Sequence, residues 1–130
     1  MDKTKNIKTI EISGKEFQYL MTNVGLSRWL REKHNLKFVQ IGSWLQDDPV
    51  INSAEMIVEG INNALEANGN ARSYTVDHID VLIGSDMKAT EAMVEFIMVT
   101  HLGADEEQLK EAKNQAAQEM TTQESPTTED

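Results

Sequence analysis

Ser53-Ala54-Glu55-Met56-Ile57-Val58-Glu59-Gly60-Ile61-Asn62-Asn63-Ala64-Leu65-Glu66-Ala67-Asn68-Gly69 carries the clearest periodicity in the chain. Ser53 has the side chain of an N-cap, Glu55 falls in the first turn, and Asn68-Gly69 is a C-terminal stop. At 100° per residue Ile57, Val58, Ile61, Ala64 and Leu65 fall within an arc of about 120°, with Glu55, Glu59, Asn62 and Glu66 opposite. Met56 lies outside that arc and reads as an exposed methionine. A helix this amphipathic must lie on other elements, so the fold is expected to be built from helices.

Downstream, Thr75 followed by Asp77 opens a short helix in which Val76, Ile79, Leu82 and Ile83 share a face before Gly84. Ser85 or Asp86 caps the next helix, which runs to Leu102-Gly103. Ala92, Met93, Val94, Phe96, Ile97, Met98 and Val99 surround its axis, the pattern of a central helix. Beyond Gly103 the character changes. Asp105-Glu106-Glu107 opposes the macrodipole of a helix start, and Glu106 with Lys110 forms a favourable i, i+4 pair. The apolar stripe there is thin: Leu109, Ala112, Ala116 and Met120. Thr121 to Asp130 holds no large apolar residue and is expected to be a disordered acidic tail.

Upstream, Ile7-Lys8-Thr9-Ile10-Glu11-Ile12, then Ser13-Gly14-Lys15, then Glu16-Phe17-Gln18-Tyr19-Leu20-Met21 has the alternation of a β-hairpin. Gly14 supplies the positive φ of the turn. Asn23 is placed to cap a helix with Leu26, Trp29 and Leu30 inward and Arg28, Arg31 and Glu32 outward, ending near His34-Asn35. Leu36 to Leu45 fits a helix through Phe38, Ile41 and Leu45, or a short strand over Phe38-Ile41. Asp47-Asp48-Pro49 reads as a stop, because a residue before proline avoids the α region. The expected fold is mostly α, a small helical bundle with a short N-terminal β-hairpin, an α+β element in the minority. Residues 1–6 are expected to form a flexible N-terminus, 7–103 a compact domain, 104–120 a weakly packed amphipathic helix and 121–130 the tail.

The chain has 130 residues, 22 acidic against 12 basic side chains and a net charge of −10. That size suits one domain, and that charge repels nucleic-acid phosphate. No cysteine is present, which excludes disulfides and thiolate chemistry and fits a reducing compartment. Apolar runs are too short to span a bilayer, and Met1 to Lys8 lacks the apolar block of a signal peptide. Charge is uneven: residues 1–37 hold eight bases and four acids, whereas 38–130 hold four bases and eighteen acids. Such a dipolar chain could stack head to tail.

Motifs of catalysis and of phosphate or calcium binding are missing from the sequence. His34, His78 and His101 have no metal-like spacing, and Asp47-Asp48 and Asp77 with Asp80 fit caps or solvated charges. No enzyme, cofactor or metal is expected. Arg28 to Lys37 is the only basic patch and invites a helix-in-groove DNA reading; against it stand Trp29, a core residue by its spacing, and the acidic bulk of the chain. Seven methionines fit core filling, with Met56 the exposed exception.

The opening Ile10-Glu11-Ile12-Ser13-Gly14-Lys15-Glu16-Phe17-Gln18-Tyr19 resembles the tail assembly chaperones of long-tailed (siphovirus-type) bacteriophages and prophages of Gram-positive hosts. So do the helix with Leu26, Trp29 and Leu30, the Thr75-Val76-Asp77 cap before the last core helix, and the acidic tail. The resemblance covers roughly residues 7 to 103, and Lys37 to Asn52 departs from many members. It implies a non-enzymatic protein of the host bacterial cytoplasm, absent from the mature virion, that binds the tape measure protein and helps bring it tail tube protein. It also implies, in that family, a longer form made by frameshifting. The residues themselves fit an acidic binder of an apolar helix, with partner contacts at Leu109, Ala112, Ala116, Met120 and Met56. A homo-oligomer along one client is compatible with the dipolar charge. The alternative is an acidic adaptor or inhibitor of a basic partner.

Overall fold

The structure, a computed structural model, describes residues 6–103. The expected helix 104–120 and tail 121–130 lie outside the described residues. The elements are β1 (Ile7–Ile12), β2 (Lys15–Leu20), α1 (Asn23–His34), a 3-10 turn at Phe38–Gln40, α2 (Ile41–Asp47), α3 (Pro49–Ala67), α4 (Val76–Ile83) and α5 (Met87–Leu102). The fold is thus mostly α with an N-terminal antiparallel hairpin, and among the described residues no helix is long and apolar enough to cross a membrane.

β1 and β2 pair from Ile7 opposite Leu20 to Ile12 opposite Lys15. Ser13 and Gly14 make the link with φ of 52° and 81°, the two positive values of the turn whose twist matches paired strands. Serine is costlier than glycine in that conformation. Its hydroxyl donates to the Leu82 carbonyl at 3.1 Å, tying the hairpin tip to the end of α4.

Three expectations about the helices change. The residue capping α1 is Thr22, whose Oγ1 accepts the Gly25 N–H. Asp48-Pro49 starts a helix instead of stopping one: the Asp48 carboxylate accepts the Ile51 N–H at 3.3 Å and Pro49 occupies the first turn. Proline breaks a helix only where its missing N–H and its ring matter, and neither does at the first position. Ser53, expected as the cap, is therefore one turn inside α3 and fully buried. Between α1 and α3 the helical alternative holds, with Ile41 and Leu45 of α2 buried.

The central helix is α3, not α5. It lies against β2, α2, α4 and α5, whereas α5 buries Ala89, Met93, Val94 and Ile97 and leaves Val99 48% exposed. An apolar sequence on all sides did not require burial on all sides, because α5 has α3 and β1 as its main neighbours. Met56 is 0% exposed, and its expected surface position is wrong. The buried face of α3 includes Ser53 and Gly60 with Met56 and Ile57. The arc of Ile57, Val58, Ile61, Ala64 and Leu65 left out Ser53 and Gly60 and was placed too far to one side.

Candidate partner-binding site

The hairpin reaches α3 through Tyr19 and Gly60. The Tyr19 ring lies where a side chain at Gly60 would be, so the absence of a Cβ lets strand and helix approach. Phe96 of α5 meets the same ring edge-on, with centroids 5.0 Å apart. The Tyr19 hydroxyl lies 2.7 Å from His101 Nε2. Burial, reinforced by the Glu59 charge, raises the Tyr19 pKa. Burial first and the Lys8 charge second lower His101 to about 4. At neutral pH both groups are uncharged and are joined by one hydrogen bond whose donor is set by the imidazole tautomer.

Beside this contact the outer half of α3 and β2 leave a groove of about 250 Å³, lined by Phe17, Ile61, Ala64 and Leu65, with Gln18 and Asn68 among its polar residues. Asn68 Nδ2 donates to Gln18 Oε1 at 2.7 Å and bridges strand to helix. Phe17 is held from the far side by Tyr74, edge-on at 5.3 Å. Tyr74 is placed in turn by Asn62, which donates to its carbonyl and accepts its N–H. The groove offers a partner an apolar floor with amide groups beside it. Its lining comes from residues that the sequence placed on separate amphipathic faces; nothing in their spacing said that these faces would part enough to leave a groove.

At the other end of α3 stands an aromatic corner. Trp29 of α1 and Trp44 of α2 are 5.9 Å apart, and His34 lies 5.0 Å from the first and 4.8 Å from the second. Glu55 Oε1 approaches His34 Nε2 at 2.9 Å, a close contact without hydrogen-bond alignment. Asn52 Nδ2 donates to the Trp44 carbonyl at 2.6 Å. Both indoles are partly buried against the core, which modifies the expected core role of Trp29: it walls the core and shows one side to the surface.

His78 joins the cap of α4, its Nδ1 accepting the Thr75 N–H at 3.0 Å. Asp86, rather than Ser85, caps α5 by accepting the N–H groups of Lys88 and Ala89. Of the residues expected to touch a partner, Met56 is enclosed in the core and available to none. Leu109, Ala112, Ala116 and Met120 lie outside the described residues. Comparison with protein-family models, with curated proteins and with solved structures finds no match.

Proposed function

We propose that the protein is a tail assembly chaperone that binds and solubilises the tape measure protein and helps recruit tail tube subunits, acting in the host bacterial cytoplasm and leaving before the virion is complete. The observation that carries this reading is the apolar groove of Phe17, Ile61, Ala64 and Leu65 on a chain of net charge −10. An apolar groove receives side chains of a partner helix, and an acidic coat keeps the complex dispersed. Glu16, Phe17 and Gln18, in the second strand of the opening that resembles this family, form the groove's β wall. Leu109, Ala112, Ala116 and Met120 are assigned to further client contacts; Met56 is not.

Co-expression with a long helical protein encoded beside this one tests the reading. The expected result is that the helical protein becomes soluble and co-purifies at both 0.15 and 1 M salt, and that Leu65→Asp, at a partly exposed position of the groove, weakens this. Failure to rescue it, together with recovery of a basic partner that 1 M salt releases, would overturn the chaperone reading in favour of an acidic adaptor, because exposed charge pairs are screened while apolar contacts are not.

A further inference from the structure

α1 turns an unpartnered stripe outward. Val24, Arg28 and Arg31 recur at i, i+4 and i+7, within about 60° of arc. All three are exposed, Val24 to 69%. Among the described residues neither guanidinium group has a hydrogen-bond or ion-pair partner. Lys33 and Lys37 follow, so that residues 22–37 hold four bases against the single acid Glu32.

We propose that this face is the docking surface for the chain's own residues 104–120. The first ground is charge: that segment holds five acids, Asp105, Glu106, Glu107, Glu111 and Glu119, against Lys110 and Lys113. The second is where the chain leaves the described fold. His101 and Thr100 line one recess with Thr22 and Asn23, so α5 ends beside the first turn of α1, next to Val24. Gly103, with φ of 60°, closes α5 there. The third is reach. The 12 residues of α1 span about 18 Å, and seventeen residues cover about 25 Å even at the rise of a helix. In the client-free chain the segment can therefore follow the whole stripe, setting its acids against Arg28 and Arg31 and its apolar positions Leu109 and Ala112 against Val24, and a client that takes up Leu109 and Ala112 displaces it. A short tether keeps it near millimolar effective concentration, which favours a chain's own segment over that of a second copy. The inference goes beyond the chaperone reading and is tested on the protein alone, so either can fail without the other.

The chain has no cysteine, which makes crosslinking a clean test. In the full chain, Ser27→Cys beside the stripe is paired with Gln108→Cys or with Gln115→Cys, and Val81→Cys, on a position of α4 that is 84% exposed, replaces Ser27→Cys as the control. Under mild oxidation at micromolar protein at least one Ser27→Cys pair is expected to close within the monomer about tenfold faster than the control, as an effective concentration raised by docking requires. The rate should fall in 1 M salt and with Arg28→Glu plus Arg31→Glu, and recover when Glu107→Lys plus Glu111→Lys is added. Closure no faster than the control overturns the proposal. So does closure only between two chains, which would assign the stripe to a second copy.

Discussion

At its middle α3 meets the hairpin through a glycine, whereas near its N-terminal end it meets α1 and α2 through a carboxylate and two indoles. The first contact is defined by what is absent: no atom stands between the α3 backbone and the Tyr19 ring. The second is an open corner in which the rings of Trp29, His34 and Trp44 meet at steep angles, Glu55 lies beside His34, and all four remain partly accessible. Close-packed interiors resist added volume, while a partly exposed cluster can lose atoms and let water take their place. The same helix should therefore be intolerant of one extra carbon at one place and forgiving of a deleted ring at another.

Gly60→Ala should cost about 3 kcal/mol, at the upper end for overpacking, because Tyr19 is also held by Phe96 and His101 and has nowhere to move. Trp44→Ala should cost about 2 kcal/mol, less than a buried tryptophan, since the indole is only partly enclosed. Urea midpoints of the two variants check the order. A larger loss from Trp44→Ala would reverse the comparison and make the aromatic corner the tighter joint.

The hairpin side also carries a histidine whose protonation burial opposes. His101 is held near 4, below its ordinary 6.5, by burial and then by Lys8. Below pH 6.5 the unfolded chain gains a proton on this residue that the folded chain refuses until about pH 4. Stability is therefore lost as pH falls through that window and is constant above it, so far as this group is concerned. Partial solvent access of the ring trims the effect to about 2 kcal/mol. His101→Gln should flatten the urea midpoint between pH 6.5 and 4 relative to the parent chain. An unchanged slope would show that the Tyr19 contact leaves the imidazole free to protonate.

These two regions were not equally visible in the sequence. The hairpin was, because alternation from Ile7 to Met21 admits one pairing and Gly14 marks its turn; only the positive φ of Ser13 went unseen, and that depends on Leu82, far along the chain. The amphipathic body of α3 was visible too. Its start was not, since Asp-Asp-Pro carries both a stop and an N-cap with proline behind it, and neighbours decide between them. Gly60 reads locally as a helix-weakening residue, and only the Tyr19 ring gives it a purpose. Met56 was misplaced for the same reason: a small residue on a buried face has no hydrophobic signal, yet it draws the methionine one turn before it inward. The groove, a gap between two faces, belongs to no single stretch of sequence.

The outer face of the hairpin offers the smallest effect and the sharpest control. Glu11 stands directly opposite Glu16 across the ladder, and both are exposed, on the side away from Ile10, Ile12 and Tyr19. Like charges in that position oppose pairing, so Glu11→Lys should stabilise by about 0.5 kcal/mol, and the gain should shrink in 1 M salt. A chain of net charge −10 also gains from any added lysine through reduced self-repulsion, and the two causes must be separated. Glu11→Gln and Glu16→Gln, alone and together, do so: either one removes the repulsion between the facing carboxylates, whereas the whole-chain term adds from one substitution to the next. If the double variant gains less than the sum of the two single variants, the pair itself is the cause. Additive gains would mean that the hairpin's outer face responds only to the charge of the whole chain, and that its local specificity lies on the inner side, where Tyr19 meets Gly60.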